Sequence, residues 1–232
     1  MNTFEEIRLA VARLSYDERR NLAVWIHYMA DMEGGVSESP AAQYASQRRF
    51  LSVDEYLKLE ETSPIRHEYI AGEVFAMAGA TKRHNVICMN VVGALVAHLR
   101  GGPCRAYMET IKVRLTVKEE DVVYYPDVLV ACGAQDLEKS VETEPKLIVE
   151  VLSPSTERID RREKALNYRE IPTLEEYVLI AQGKPEVAVY RRSQEWRAQI
   201  LVELEAAVEF QAIGMSLPLD CIYEGVSLTR IA

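Results

Sequence analysis

The feature that most constrains the fold is a nearly uninterrupted apolar run, Lys146 to Leu152, which carries a single carboxylate at Glu150 and ends in a Ser-Pro-Ser-Thr turn. A strand without alternation between apolar and polar residues is typical of a sheet covered on both faces. A carboxylate without a partner inside such a strand costs several kcal/mol of desolvation. The sequence therefore predicts a doubly covered sheet in which Glu150 has a partner.

A second apolar stretch, Val122 to Cys132, carries a lone carboxylate at Asp127, directly after Pro126. Proline cannot donate a hydrogen bond to a sheet ladder, so Pro126 indicates a strand start, an edge or a bulge, where side chains are redirected. Two carboxylates on neighbouring buried strands are suited to sharing a divalent cation, which neutralises both. Two alternatives remain open: Asp127 accepts backbone hydrogen bonds in a turn, or Glu150 forms a buried pair with an arginine such as Arg114.

Composition limits the functional classes that need to be considered. The 232 residues carry a net charge of -9, with 48% hydrophobic and 27% charged residues. These values are ordinary for a globular protein that can bury a core. The negative charge argues against a protein that coats nucleic acid through a basic surface, although it does not exclude an enzyme that contacts a phosphodiester through a metal.

Hydropathy and cysteine usage predict a cytoplasmic protein without a membrane segment. The longest apolar run, Met89 to Leu99, is too short to span a bilayer, and the polar start of the chain does not resemble a secretory leader. The spacing of the four cysteines favours buried reduced thiols over a zinc site or a disulfide framework. These residues are Cys88, Cys104, Cys132 and Cys221.

The sequence predicts two regions with a boundary near residue 48. Residues 1 to about 30 show two capping-box patterns and helical apolar spacing, which indicates a helical hairpin. Residues 31–48 are rich in Gly, Ser, Ala and Gln and lack periodicity, as is typical of a linker. We therefore expect an N-terminal hairpin and linker over 1–48, and a main domain over 49–232.

The main domain has an α/β pattern. Ser52 with Glu55 predicts a capped helix, a strand pair follows around Ala71-Gly72, and apolar spacing predicts a helix over Lys82–Leu99. Strands are expected over 105–117, 122–132, 146–152 and 173–181, with a helix over 161–170 capped by Asp160, and an antiparallel tail at the end. This order predicts a mixed sheet flanked by helices.

Several spaced blocks of this sequence resemble the core of the PD-(D/E)XK nuclease superfamily and, more closely, the Uma2 family of restriction-endonuclease-like proteins. The resemblance covers residues 52–195 and leaves the N-terminal hairpin outside it. The matching blocks are Arg66-His67-Glu68-Tyr69-Ile70-Ala71-Gly72-Glu73, His84, Tyr125-Pro126-Asp127-Val128, Ile148 to Thr156, and Asp160, Lys164 and Tyr168 before Glu176-Tyr177. The resemblance implies a restriction-endonuclease-like fold.

The resemblance also implies a metal site. Asp127 and Glu150 would bind Mg²⁺ or Mn²⁺, which prefer hard oxygen ligands. The lysine that the superfamily carries two residues after the glutamate is replaced by Leu152, and in the Uma2-like variant Lys164 supplies it from the following helix. The alternative for Lys164 is a solvated lysine among neighbouring arginines, which follows if Leu166 marks the core side of that helix.

Two further residues are candidates for the site. Either Glu68 or Glu73 could supply a third carboxylate; we prefer Glu73, with an exposed strand carboxylate as the equal alternative. His84 lies on the apolar face of its helix, where it is either a hydrogen-bonded core histidine or a residue that approaches a phosphate. For the glutamate and for His84 alike, the sequence does not decide between a role in the site and a structural role.

These observations predict a metal-dependent phosphodiester hydrolase, with a DNA endonuclease favoured. The expected partner is nucleic acid, with DNA favoured over RNA, and cutting both strands of a duplex favours a homodimer. The alternative is a catalytically inactive nuclease-fold protein that serves as a binding or assembly module, with the N-terminal hairpin as its interface. The negative charge and the lack of a recognisable DNA-reading motif favour that alternative.

Overall fold

The computed structural model describes residues 51–228 except 78, 135 and 155, together with residue 11. Apart from residue 11, the predicted N-terminal hairpin and linker lie outside the described residues. The division of the chain at residue 48 therefore stays a prediction.

The described residues form an α/β structure. The strands are β1 (His67–Ile70), β2 (Glu73–Ala76), β3 (Cys104–Met108), β4 (Lys112–Val117), β5 (Glu120–Tyr124), β6 (Val128–Cys132), β7 (Val141–Glu142), β8 (Pro145–Leu152), β9 (Glu176–Ala181), β10 (Val187–Arg191), β11 (Ala198–Leu201), β12 (Ala207–Phe210) and β13 (Met215–Pro218). The helices are α1 (Val53–Glu60), α2 (Lys82–Leu99), α3 (Glu157–Ile159, a π-helical turn Asp160–Lys164, and Ala165–Tyr168) and α4 (Leu219–Ile222).

The strands form a mixed arrangement around one central sheet. Its six strands have the order β11-β10-β9-β8-β6-β3, and β8 and β9 are parallel because α3 crosses between them. A five-stranded sheet has the order β2-β1-β5-β4-β7, and β12 pairs with β13. The predicted mixed sheet flanked by helices is confirmed.

The central sheet is covered on both faces, as the apolar composition of β8 predicts. Val149 and Val151 belong to a core that includes the buried face of α2, whereas Ile148 and Leu152 belong to a second core that includes β4, β5 and the end of α3. Successive strand residues point to opposite faces. Glu150 is therefore directed to the same side as Ile148, toward the five-stranded sheet and α3.

The helix α2 matches its prediction. The Thr81 side chain accepts a hydrogen bond from the His84 N–H, which caps the helix, and its buried face includes Ile87 and Val91. This 18-residue helix is the longest among the described residues, and none of the helices in that part of the chain has both the length and the apolarity to cross a membrane.

Two predicted long strands are wrong, because each is divided between the two large sheets. The expected strand over 105–117 separates into β3 and β4, with Glu109 at a positive φ of 40° between them. The expected strand over 122–132 separates into β5 and β6 around Pro126 and Asp127. In both cases the chain leaves one sheet and enters the other, which local apolar patterning does not reveal.

The predicted start of α3 is also wrong. The helix begins at Glu157, four residues earlier than expected, and Asp160 is a buried member of its π-helical turn rather than its cap. The Ser153 and Thr156 hydroxyls lie 2.9 Å apart before the helix, where small hydroxyl groups commonly stabilise a turn. Asp160 and Glu163 have the spacing of a capping box, but this spacing also occurs inside a helix, which is why the start of α3 was predicted too late.

The prediction of four buried reduced thiols is wrong. Cys104 and Cys132 lie opposite each other on the antiparallel strands β3 and β6 and form a disulfide. Cys88 is a buried free thiol, whereas Cys221 is exposed. Sequence spacing does not show which strands pair, so it could not bring together two cysteines that lie 28 positions apart.

Candidate active site

The carboxylates of Asp127 and Glu150 occupy adjacent positions on neighbouring strands. β6 and β8 pair antiparallel with Val128 opposite Val149, so Asp127 lies just before β6 at the level of Glu150. The Asp127 N–H donates to Glu150 Oε2 over 3.2 Å, and the Val151 N–H donates to Asp127 Oδ2 over 2.7 Å. These two hydrogen bonds fix the Glu150 and Asp127 side chains at the same end of the central sheet.

The two carboxylates differ in their access to water. The Asp127 side chain is 18% exposed and the Glu150 side chain 4% exposed. Asp127 is therefore the carboxylate that solvent can reach, while Glu150 is buried beside it. The predicted backbone hydrogen bond to Asp127 is present, and a side-chain partner, His84, is present with it.

Lys164 provides the positive charge at this site. Its Nζ lies 2.8 Å from Glu68 Oε1, 3.3 Å from Glu150 Oε1 and 3.4 Å from Asp160 Oδ1, and the side chain is 6% exposed. Burial alone would lower the pKa of Lys164, but the three carboxylates outweigh it and hold the pKa well above its usual value. The lysine is therefore a buried ammonium, and the alternative of a solvated lysine is wrong.

The side chain of Lys164 points inward because of its position on α3. Asp160, Lys164 and Tyr168 follow one another at intervals of four residues and are all buried, whereas Leu166 is 60% exposed. Residues four positions apart lie on the same face of a helix, and the π-helical turn Asp160–Lys164 leaves this face intact. The assumption that Leu166 marks the core side fails because the buried side of α3 is lined mainly by charged and tyrosine side chains.

Three carboxylates surround Lys164, so the negative charges that they can carry exceed its one positive charge. Burial raises the pKa of Glu150 well above its usual range; Lys164 opposes this shift, and the nearby Asp160, Asp127 and Glu68 increase it. Burial also raises the pKa of Asp160, again against the effect of Lys164. An excess of buried negative charge is the condition that a divalent cation relieves.

Glu150 has partners other than the predicted arginine. Its Oε1 accepts hydrogen bonds from Lys164 Nζ and from the Tyr168 hydroxyl, the latter over 3.3 Å. Arg114 instead pairs with Asp121 at 2.9 Å, close to the surface. The pairing of Glu150 with Arg114 is therefore wrong, because the charge partner of Glu150 is Lys164 and that of Arg114 is Asp121.

Glu68 is the carboxylate that β1 contributes to this group. Its Oε1 contacts Lys164 and also accepts a long hydrogen bond of 3.4 Å from the Tyr125 N–H. Glu73, which the sequence favoured, lies on β2 opposite Ile70, diagonally across the hairpin from Glu68. A catalytic role for Glu73 stays a prediction. The choice between the two glutamates depended on the pairing of β1 with β5, which the sequence does not show.

His84 lies beside Asp127 at the start of α2. Its Nε2 is 3.1 Å from Asp127 Oδ2, and its Nδ1 is 3.5 Å from Cys88 Sγ, one helical turn along. Burial lowers the pKa of His84, but the hydrogen bond and charge of Asp127 outweigh this effect and raise it overall. In the part of the chain that the structure describes, His84, Cys88 and Asp127 bring three potential metal-ligand atoms within 4.8 Å of one another.

Comparisons with known proteins agree with this architecture. The model of the Uma2 family, described as "Putative restriction endonuclease", matches residues 53–220. The uncharacterized protein slr1290 of Synechocystis sp. is 34% identical over 195 residues, which cover 83% of this chain and 99% of that protein. A second Synechocystis protein, sll1609, is 32% identical over 70% of this chain and 93% of its own length.

A solved structure shares the fold. The crystal structure of a DUF820 protein from Anabaena variabilis, titled a "putative nuclease", superposes with a TM-score of 0.62 and 20% sequence identity, covering 74% of this chain and 97% of that one. The fold is therefore restriction-endonuclease-like. Because the family model covers most of the chain and includes β1, β6, β8 and α3, the protein belongs to the Uma2 family.

Proposed function

We propose that the protein is a divalent-metal-dependent phosphodiester hydrolase that acts as a DNA endonuclease, with Mg²⁺ or Mn²⁺ held by Asp127 and Glu150. The observation that carries this proposal is the interlocked pair of carboxylates with a buried ammonium beside it. The Asp127 N–H donates to Glu150, and Lys164 lies 3.3 Å from the other oxygen of Glu150. Membership of a nuclease-like family supports the same assignment.

The donor set fits a hard divalent cation. Carboxylate oxygens are the ligands that Mg²⁺ and Mn²⁺ prefer, and the site carries more negative charge than Lys164 neutralises. When bound, such an ion polarises a phosphoryl oxygen and makes its bound water more acidic. Asp127, the more exposed carboxylate, would meet the ion at the surface, and Glu150 would hold it from within.

Lys164 serves this chemistry as a fixed positive charge. Its raised pKa keeps the amine protonated, so it cannot accept a proton from water at neutral pH. It can orient Glu150 Oε1 and offset the negative charge that develops on a phosphate in the transition state. Tyr168 also donates to Glu150 Oε1 and restrains the same carboxylate.

A cleavage assay tests the proposal. Supercoiled circular duplex DNA, incubated with the full chain and Mn²⁺ or Mg²⁺, should be converted to nicked and linear forms. Asp127→Ala should lower the rate by about a hundredfold or more, whereas Asp121→Ala, which changes a carboxylate paired with Arg114 near the surface, should not. Equal rates for the two variants would contradict the proposal. Single-stranded DNA and RNA, assayed in parallel, would identify a preference for another nucleic acid.

A second candidate is a binding or assembly module without catalysis. It is favoured by the contacts of Lys164, whose charge is already matched by three carboxylates, and by the net charge of -9. In that case, no cleavage is expected with any of these nucleic acids, and a partner captured by the full chain should bind Asp127→Ala as well as the wild type. The predicted homodimer and cytoplasmic location stay proposals under either function.

A further inference from the structure

We propose that the cation site is a mixed nitrogen and oxygen site, in which His84 joins Asp127 as a ligand and selects Mn²⁺ or a similar transition-metal ion over Mg²⁺. This inference rests on the proposed function, because it concerns the same cation. It goes further by assigning a ligand role to a histidine and by naming the class of metal.

The separation of the two side chains suits a shared cation. A metal ion about 2.1 Å from each of two ligand atoms, with a right angle between them, holds those atoms about 3.0 Å apart. His84 Nε2 and Asp127 Oδ2 are 3.1 Å apart. The Asp127 side chain is 18% exposed, so an ion could reach the pair from solvent, whereas His84 at 8% exposed is held within the fold.

Cys88 orients the imidazole for this role. A histidine that binds a metal through one ring nitrogen usually has its other nitrogen fixed by a neighbouring group. Here Nδ1 lies 3.5 Å from Cys88 Sγ, which leaves Nε2 directed at Asp127.

Hydrogen bonds hold both proposed ligand residues in place. His84 belongs to the first turn of α2, where its N–H is bonded to the Thr81 hydroxyl at 3.2 Å. Asp127 is fixed by the Val151 N–H of β8. The two ligands are thus supplied by a helix and a sheet that share a core, so neither side chain needs a large movement to meet an ion.

The ligand types determine the metal preference. Mg²⁺ strongly prefers oxygen, whereas imidazole nitrogen is a common ligand of transition-metal dications. A site with Asp127 and Glu150 alone would bind Mg²⁺ and Mn²⁺ with similar affinity. The addition of His84 should strengthen the binding of Mn²⁺ and leave Mg²⁺ comparatively weak.

Calorimetric titration of the full chain with MnCl₂ alone and MgCl₂ alone tests this inference. In the wild type, the Kd for Mg²⁺ should exceed that for Mn²⁺, and His84→Ala should reduce this Mg²⁺/Mn²⁺ ratio by about tenfold. His98→Ala is the matched control, because His98 lies on the same helix but is exposed and bonded to the Ile213 carbonyl, and it should preserve the ratio.

A second variant keeps the test decisive if the alanine variant does not fold. His84→Gln places an amide oxygen near the position of the histidine Nε2, and it should also reduce the ratio while retaining Mg²⁺ binding. A ratio unchanged in a folded His84 variant would overturn the inference and leave the proposed function intact. Failure of the wild type to bind either ion would overturn both.

Discussion

At the level of single residues, Lys164 connects the groups of the site, because its ammonium contacts the carboxylates of Glu68, Glu150 and Asp160. The sequence identified Asp127 and Glu150 from their places in apolar strands and Lys164 by resemblance, and all three lie together. It named Glu68 only as the less favoured of two glutamates and Asp160 only as a helix cap, because the position of Glu68 depends on strand pairing and that of Asp160 on where the helix begins. The spacing of Asp160, Lys164 and Tyr168 by four residues was the available signal that they share one face.

We expect Lys164→Met to lower the free energy of unfolding by about 3–5 kcal/mol, because it leaves buried carboxylates without their counter-charge. Urea unfolding monitored by circular dichroism would measure this change. Lys146→Met is the control: Lys146 pairs with Glu175 at 3.3 Å, but both side chains are one-third to one-half exposed, and its loss should cost less than about 1 kcal/mol. Equal costs for the two variants would contradict the role assigned to the buried ammonium.

Glu60 should control the acid sensitivity of the fold. Burial raises its pKa, but hydrogen bonds from the His67 N–H, His67 Nδ1 and the Tyr125 hydroxyl outweigh burial and lower the pKa overall. A carboxyl group whose pKa is lower in the folded state adds stability above its unfolded pKa, near 4.5, and loses that contribution as the pH falls through the folded pKa.

The expected result is that wild-type stability falls as the pH drops below 4.5, and that Glu60→Gln is less stable at neutral pH but less sensitive to acid. Denaturant titrations at a series of pH values would measure both effects. Glu175→Gln, at a half-exposed position, should follow the wild-type curve. A Glu60→Gln curve parallel to the wild type throughout would show that the folded-state pKa of Glu60 is not lowered.

At the level of elements, α3 directs Asp160, Lys164 and Tyr168 toward the site. Helical periodicity predicted a helix here, but its start was wrong, because Asp160 and Glu163 resemble a capping box although both lie inside the helix. β8 was predictable for the opposite reason: a strand covered on both faces must be apolar along its whole length, so its one carboxylate was conspicuous. Pro126 indicated an interruption or a start of a strand, but the exchange of the chain between sheets at this point depends on long-range pairing and was not predictable.

The orientation of α3 predicts that substitutions at two adjacent positions differ in their cost to the free energy of unfolding. Leu166→Ser should change the free energy of unfolding by less than about 0.5 kcal/mol, because Leu166 is 60% exposed. Ala165→Leu should cost about 1–3 kcal/mol, because Ala165 is 3% exposed and packed in the core beside Tyr168. Chemical unfolding of both variants would measure this. The reverse order would place Leu166 on the core side and contradict the observed turn.

At the level of the whole molecule, the central sheet connects two cores, and the site lies where they meet. His84 contacts Asp127 from the α2 side, whereas Lys164 contacts both Glu150 and, on the five-stranded sheet, Glu68. The general α/β architecture was predictable from the order of elements, since sequence patterns identify helices and strands. The contacts of Glu68 with Lys164 and of His84 with Asp127 were not, because they join segments far apart in the chain.

The claim that Asp127 and Glu150 bind a divalent cation can be tested by thermal unfolding with and without millimolar Mn²⁺. A cation present at about 100 times its Kd stabilises the folded state by about 2.7 kcal/mol, which corresponds to a rise in Tm of about 5–10 °C for a chain of this size. The wild type should show this rise, and Glu150→Gln should not.

Glu176→Gln is the matched control, because Glu176 is a buried carboxylate on the adjacent strand β9 that pairs with Arg191 at 2.7 Å. It should lower the Tm without metal and still show the rise with Mn²⁺. We expect a metal-dependent rise in Tm in the wild type and in Glu176→Gln, and no rise in Glu150→Gln. A rise of equal size in all three proteins would place the cation elsewhere and contradict the assignment of Asp127 and Glu150 as its ligands.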